Sequence, residues 1–575
     1  MPMIFSWREG RKHNMLSPYS NSYWRDKNWP SYLPRDLRLE MGEQPLFAYL
    51  TRHARQDPER AGLVFFNREI SFREWDWMSN AFARFLIAAG IKKGDRVALW
   101  LPTTPAFAIT YLGILKAGAT LTACSPAFKE WELEYQLQDS EARVLVCLDE
   151  YMETVHSVLG KVPLEKIVVT GHSDFLKTSG IEEVPEEYVR ERRHFPHTVE
   201  LLDILQGYDS NPPNVKIDLH KDLALLQYTG GTTGLPKGAM HTFYNAIYKT
   251  ACIAQISYHG LYKTGVSRYI LQMAPLYHIM GMLQFNSNLY KGLSQIILPR
   301  FDALQALKAI DRYHPELLYT VTPMNMGMMN HPDIEKYNLR SIRRNRVSSL
   351  GIQLTAEIAD RWRKYLGEGA EIVESSYGLT ETHTGDTFMP LDRPIKWGSV
   401  GIPTYGEEFK IVSFEEKNKV MELGEMGEIA VSAPCNFIGY WKKPKESAET
   451  LIDGWVYTGD MGRFDEDGYL YFLGRKKEMI KVSGYSAFPE EVEVFLNRHP
   501  AVENCGVKGV ADEKKGEVIK AVVVLKPEFK GKITPEQLIE WSKEKMSFYK
   551  VPRIIEIREE LPRHGGTGKI LRRLL

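Results

Sequence analysis

The stretch KDLALLQYTGGTTGLPKG, residues 221–238, constrains the fold more than any other part of this sequence. KDLALLQY is an apolar run of strand length and reads as a buried strand. The residues after it change character. Gly230, Gly231 and Gly234 crowd together, and glycine lets backbone N–H groups turn inward and approach an anion closely. Thr229, Thr232 and Thr233 add hydroxyl donors, and Lys237 adds a positive charge. So dense a mixture after a strand is a phosphate cradle rather than a turn stiffened by Pro236. It is not a Walker loop. That motif needs G-x-x-x-x-G-K-[ST] opening a helix, whereas Lys237 stands between Pro236 and Gly238 with no adjacent hydroxyl to hold a magnesium ion.

The surrounding chain has the texture of such a sheet. RVALWL (96–101), RVLVCL (143–148), KIVVTG (166–171) and QIILP (295–299) are short strand-like runs. Helical patterns such as SFREWDWMSNAFARFLIAAG and FDALQALKAIDRYH fall between several of them. This alternation predicts parallel sheets with covering helices. From about Gly398 to Gly474 the pattern becomes short strands with Gly and Asp turns (GEIAVSA, DEDGYLYFLGR), a small and mostly antiparallel unit. After LGRKKEMI the α/β alternation resumes on a smaller scale in EEVEVFLNRHP, KAVVVLK, TPEQLIEWSKEKM and RIIEI, so a compact C-terminal domain is expected from near Glu478.

At 575 residues the chain is too long for one core. Lys plus Arg and Asp plus Glu balance at 73 each, so no global field recruits nucleic acid or membrane. The five cysteines are scattered with no CxxC pair, which argues for a reducing compartment and against a structural zinc site. MPMIFSWREGRKHNMLSPYS carries charge before any apolar run and is not a secretory signal. PAFAITYLGILKAGATLTA is interrupted by Lys116 and too short to span a bilayer, so it reads as a buried helix. The expectation is a cytoplasmic protein.

TGGTTGLPKG is followed in order by SSYGLTET (375–382), GWVYTGDMGRFDEDGYLYFLGRKKEMIKVSGY (454–485) and GGTGKILRR (565–573). Together they resemble the motifs of the AMP-forming adenylating enzymes: acyl- and aryl-CoA synthetases, firefly luciferase and nonribosomal peptide adenylation domains. The likeness runs from about residue 70 to the last residue and is greatest to medium- and long-chain fatty acid CoA ligases. It implies a carboxylic acid attacking the α-phosphate of ATP to give acyl-AMP and pyrophosphate, then CoA taking the acyl group. It further implies an α/β fold with a large N-terminal domain, residues 1–476, made of two parallel or mixed α/β subdomains and a small β-barrel-like subdomain. A small, mobile α+β lid, residues 477–575, would follow, hinged at Lys477. A homodimer is the assembly the family suggests.

The same resemblance assigns residues. The loop Thr229, Gly230, Gly231, Thr232, Thr233, Gly234 and Lys237 would hold the β- and γ-phosphates. Tyr377 and Gly378 would lie at the adenine, Thr380 near the α-phosphate, and Glu381 with Thr232 on Mg²⁺, a hard cation suited to carboxylate oxygen. Asp460 and Arg475 would serve the ribose. Lys569 would neutralise the α-phosphate and the attacking carboxylate, and its glycine neighbours would carry it in and out. Lys481 and Gly484 would serve the thioester step. Read without the family, Tyr377 is a core tyrosine, Asp460 a turn residue, and Lys477 and Glu381 solvated surface charges.

The acyl group is less legible. Short-chain relatives carry a Trp just before the [QLM]TE element; Gly378 stands there, so a longer acid is admissible and Gly378→Trp should shorten the pocket. Tyr277, His278 and Met282 in QMAPLYHIMGM match a pocket-lining segment, with Met324, Gly351 and Leu379 as further candidates. The bland readings are a satisfied core histidine and a core methionine stripe. No acid stands near LYHIM to hold a substrate amine; the Asp302 of FDA opens a helical pattern instead. Gln353 in GIQLTAEI departs from the small residues common in relatives. The chain stops at the lysine motif without a carrier domain, which favours free CoA. A medium- to long-chain fatty acid is the expected substrate. Short hydroxy, branched or aryl acids, another acceptor, and a non-catalytic nucleotide-binding regulator are the alternatives.

Overall fold

The structure, a computed structural model, describes residues 28–229, 235–262, 267–350, 352–482, 485–512, 516–563 and 569–575. The strand Leu223–Thr229 lies next to the edge of a seven-stranded sheet. The sheet order is Val199–Glu200, Lys166–Thr170, Val144–Leu148, Arg96–Trp100, Thr120–Ala123, Leu223–Thr229 and Lys237–Thr242. All neighbours run parallel except the last pair. The phosphate loop therefore closes an antiparallel hairpin, with Thr229 opposite Lys237 at its mouth.

A second sheet, ordered Tyr269–Gln272, Ser294–Ile297, Ala61–Phe65 and Arg68–Ser71, faces the first, and Leu317–Val321, Arg344–Ser348 and Glu371–Glu374 form a parallel trio. One core joins the two larger sheets. It takes Val97, Leu99 and Val144 from the first, Leu63, Phe65 and Ile297 from the second, and the helices Phe72–Ala88, Pro105–Lys116 and Ile279–Tyr290 between them. Local chemistry starts these helices. Ser71 accepts from Glu74 N–H while Glu74 accepts from Ser71 N–H, a capping box. Thr104 caps the next helix, whose first residue is Pro105.

All of Pro105–Lys116 is buried. Lys116 is tolerated there because its ammonium donates to Asp76 Oδ1, Ser79 Oγ and Asn80 Oδ1, each at 2.7 Å. Burial nevertheless draws its pKa down to about 8. Among the described residues no helix is long and apolar enough to cross a membrane. The five cysteines are buried and form no disulfide.

The antiparallel unit is a five-stranded sheet of Glu408–Val412, Gly427–Ser432, Trp455–Phe464, Leu451–Ile452 and Leu470–Arg475. The remaining sheet is built from Tyr485–Ala487, Ile480–Val482, Gly516–Leu525, Val502–Asp512 and Ile554–Ile557, with the helices Pro489–Leu496 and Pro535–Lys545 beside it. Its core is its own cluster, including Val492, Leu496, Val507, Ala521 and Leu538. The molecule is thus mixed α/β, with a large N-terminal part and a small C-terminal one.

Candidate active site

The base of the phosphate loop is clamped from outside. The helix Glu130–Ser140 sends Tyr135 Oη to Pro236 O (2.7 Å), and its Asp139 Oδ2 accepts from Tyr228 Oη (2.6 Å). Asp139 O also accepts from Trp441 Nε1 and Lys442 Nζ, both at 3.0 Å. Lys237 begins the second hairpin strand, and its ammonium sits over the ring of Tyr440, 4.5 Å from the centroid. Gly230, Gly231, Thr232, Thr233 and Gly234 lie outside the described residues.

Opposite the hairpin, the strand Glu371–Glu374 ends and the YGLTE segment begins. Tyr377 is buried, and its hydroxyl donates to Asp460 Oδ2 at 2.8 Å. Asp460 and Arg475 are register partners across two antiparallel strands, which brings Arg475 Nε to 2.7 Å from Asp460 Oδ1. Arg475 Nη1 also donates to Thr458 O at 3.0 Å. Burial pushes the Asp460 carboxyl up, while Arg475, the Tyr377 hydrogen bond and the charge of Lys569 pull it back. Residues expected at adenine and ribose thus meet in one buried cluster, and Lys569, exposed, lies within electrostatic reach of it.

Glu381 sits in the short helical turn Thr380–Thr382. Its backbone carbonyl accepts from Phe437 N–H (2.7 Å), and its Oε1 accepts from Tyr440 Oη at 2.5 Å. A carboxylate with one oxygen engaged by a neutral hydroxyl offers hard oxygen of the kind that fits a magnesium ion.

Beneath this turn is a cluster that sequence reading missed. Lys249 Nζ, fully buried, donates to Asp386 Oδ1 (2.7 Å) and Glu407 Oε1 (2.6 Å). Asp386 Oδ2 accepts from Thr382 Oγ1 at 2.5 Å, and Asp386 N–H donates to Tyr377 O at 2.7 Å. Burial pushes the Glu407 carboxyl up to about 8 and raises that of Asp386 as well, while the Lys249 ammonium pulls both back. The rings of His241 and His383 lie edge to face 4.8 Å apart in the same layer, and burial keeps both neutral. The available signal was Lys249 itself, a charge in the apolar helix Phe243–Ser257.

The acyl end is apolar. Tyr277 O accepts from Gln227 Nε2 (2.9 Å), and the Tyr277 and His278 rings are 4.7 Å apart, with His278 at the start of the helix Ile279–Tyr290. Burial raises the Tyr277 hydroxyl to about 12. Met282 is fully buried in the main core; Met324 is partly buried against the second. Leu379 packs against two clusters, one with Tyr377 and one with Phe437 and Tyr440. Asp302 caps the helix Ala303–Tyr313, so it holds a backbone amide rather than a substrate amine. Gly351 lies outside the described residues.

Gly378 requires a correction. A Cβ there would lie 2.8 Å from Thr384 Cα, and closer still to Gly385 N. The position faces backbone, not open pocket, so a Trp would displace the loop instead of simply filling a groove. Beside it Gly385 (φ +72°) is tightly packed too, since a Cβ there would lie 3.0 Å from Ile253 Cδ1 and 3.2 Å from Leu283 Cδ2. Sequence reading named neither aliphatic residue, since nothing distinguishes them from core.

In the C-terminal part, Lys477 occupies the turn Lys476–Glu478, directly after the strand Leu470–Arg475. Lys481 lies on the strand Ile480–Val482; its side chain, Gly484 and the glycines before Lys569 are outside the described residues. Arg572, which reads as part of a basic tail, is instead held by Glu478 (2.5 Å), Glu490 and Glu493 (2.9 Å each). Glu490 also packs on Gly474 (φ +116°), where any side chain would collide with it.

Residues 50–441 match the AMP-binding enzyme family, and residues 491–569 match the AMP-binding enzyme C-terminal domain. The chain belongs to the AMP-binding enzyme family. It is 35% identical over 574 residues to a long-chain-fatty-acid–CoA ligase of Bacillus subtilis (strain 168), covering 96% of this chain and 97% of that one. Among solved structures it is similar to the anthranilate CoA ligase AuaEII in complex with anthranoyl-AMP, with a TM-score of 0.78, 27% identity, and coverage of 92% and 96%. ATP-bound MatB from Rhodopseudomonas palustris gives the same TM-score at 25% identity, with 92% and 97% covered.

Proposed function

We propose that this AMP-forming acid–CoA ligase acts on a medium- to long-chain fatty acid, with acyl-AMP as its intermediate. The observation that carries the reading is the convergence on Asp460: Tyr377 and Arg475 fix it, and the charge of Lys569 reaches it from the C-terminal part. Residues from three separated motifs therefore face one cleft.

In the first step Asp460, held in place by Arg475 and Tyr377, accepts from the ribose hydroxyls. Tyr377 walls the adenine, and Lys237 with the loop 229–234 holds the phosphates that leave as pyrophosphate. Magnesium, held by Glu381 and Thr232, supplies charge neutralisation on the phosphates when bound. Lys569 neutralises the carboxylate and the α-phosphate as they approach; donors aimed at developing charge are worth about 10²–10³ in rate each. In the second step the C-terminal domain, residues 477–575, turns about Lys477 and brings Lys481 and Gly484 to the pantetheine arm in place of Lys569. The wall of Ile253, Leu283, Met282 and Met324, without a charged partner among them, supports an aliphatic acid. The likeness to an anthranilate ligase supports an aryl acid as second reading. A cytoplasmic homodimer completes the proposal.

Acid-dependent exchange of labelled pyrophosphate into ATP, run from acetate to stearate and with benzoates, tests the first step; CoA-thioester formation tests the second. Strongest exchange with long alkanoates supports the fatty-acid reading. Strongest exchange with benzoates selects the aryl one, and no exchange with any acid would leave a nucleotide-binding regulator.

A further inference from the structure

Tyr440 belongs to none of the motifs singled out in the sequence, yet it touches two of their residues at once. Its hydroxyl donates to Glu381 Oε1 at 2.5 Å, and its ring lies 4.5 Å beneath the Lys237 ammonium. The position is built. Tyr440 bridges Ala239 on the hairpin strand that Lys237 begins, and Trp441 N–H donates to Gly238 O at 2.8 Å. Met240 N–H donates to Gly439 O (3.0 Å) and Ile438 N–H to Met240 O (3.0 Å), so residues 438–441 are stitched alongside that strand. From the other side Ser447 Oγ accepts from Tyr440 N–H at 2.8 Å, and Phe437 packs edge-on against the ring at 4.8 Å. Tyr440 is 5% exposed. A buried phenol so pinned cannot choose its partners; the backbone aims it.

We infer that Tyr440 is a positioning residue for both the metal-binding carboxylate and the phosphate-binding lysine. This rests on the reading that Glu381 serves Mg²⁺ and Lys237 serves the phosphates. The two halves of the side chain do separate work. The hydroxyl takes one oxygen of Glu381 and fixes the carboxylate plane, leaving the other oxygen for the metal. The ring gives the lysine the negative face of its π system, so the long, flexible chain is held at one place rather than sampling solvent. The placement of the metal-holding carboxylate and of the phosphate-facing ammonium is thereby set by one residue before nucleotide arrives.

Equilibrium binding of ATP, measured with Mg²⁺ and with EDTA, separates the halves without relying on turnover. Tyr440→Phe keeps the ring and every backbone contact. It is expected to weaken Mg²⁺-dependent ATP binding roughly tenfold, the worth of a hydrogen bond to a charged group, while leaving EDTA binding unchanged. Tyr440→Leu removes the ring as well and is expected to lose a further factor of roughly three in EDTA. In a Glu381→Gln background the effect of Tyr440→Phe on Mg²⁺ dependence should vanish, because both changes act on one carboxylate. Equal weakening by Tyr440→Phe with and without metal, or additivity with Glu381→Gln, overturns the carboxylate role; equal affinity of the Phe and Leu variants in EDTA overturns the lysine role. If Glu381→Gln alone leaves the metal dependence intact, the assignment of Glu381 fails, and the inference with it.

Discussion

The two ends of the cleft are built from different chemistry. At the nucleotide end each candidate residue is held by directional bonds: Tyr377 to Asp460, Asp460 to Arg475, Glu381 to Tyr440, and Thr382 to Asp386 above Lys249. The side chains proposed for the acyl end, Ile253, Leu283, Met282 and Met324, are all apolar and can contribute shape alone. Hydrogen bonds and ion pairs demand particular atoms at particular places, whereas apolar packing asks only for volume. Substitution should therefore act steeply at one end and gradually at the other.

The largest effect is expected at the charged floor. Lys249→Met leaves Asp386 buried without its cation and should cost about 3–5 kcal/mol of stability, read by denaturant unfolding. A smaller loss than at an exposed lysine would break the claim that this cluster supports the nucleotide end. Next, Lys569→Ala should lower acyl-AMP formation about 10²–10³-fold while supplied acyl-AMP is still converted to thioester; equal loss in both steps would refute the division of labour between two faces of the lid.

Glu374 sharpens the comparison through pH. Its carboxylate accepts from Ser349 N–H (3.1 Å) and Ser349 Oγ (2.5 Å), and Ser349 Oγ accepts in turn from Leu354 N–H at 2.9 Å, tying Ser349 and Leu354 together. Burial raises its pKa from 4.5 to about 7. A raised acid binds its proton more tightly when folded, so the stability it contributes is full below pH 4.5 and fades as pH rises toward 7. Glu374→Gln should flatten that decline by about 1–3 kcal/mol; an unchanged pH profile of unfolding would show the carboxyl to be already ionised.

The acyl end should respond least per change. Ile253→Ala removes three carbons beside Gly385 and should shift preference toward longer or broader acids by about 0.8 kcal/mol per methylene-sized group accommodated. A switch as sharp as those at the nucleotide end would mean that a polar contact is hidden in this wall. Gly378→Ala makes the complementary case: it adds one carbon against backbone, so all acids should suffer alike instead of only long ones.

The same contrast explains what could be read in the sequence. YGLTE, Asp460 and Arg475 stood out only through their likeness to the family's ordered motifs, since polar groups needed at fixed positions leave dense strings; the loop 230–234 lies outside the described residues. The sheets were legible from alternation, and the strand 223–229 falls where KDLALLQY placed it. Lys249, Asp386 and Glu407 were not legible as a unit, because their bonds span 137 and 158 residues. Gly378 misled for a related reason: a glycine states that space is short, but not whether backbone or pocket has taken it. Ile253 and Leu283 gave no sign at all, since a pocket wall and a core use the same residues.

Lys569 is moored at close range. Ile570, immediately after it, is buried against Leu575 and Val522 and bridges to Arg563, and Arg572 is gripped by three carboxylates. With at most about 3.5 Å of chain per residue, the Lys569 backbone stays close to the anchored Ile570, which leaves the ammonium only the reach of its own side chain. In the proposed two-step cycle it is a tool bolted to its carriage, not one swung on a cord: for Lys569 to leave the phosphates, the C-terminal body would have to go with it, and a wedge that stopped that body would stop the lysine too.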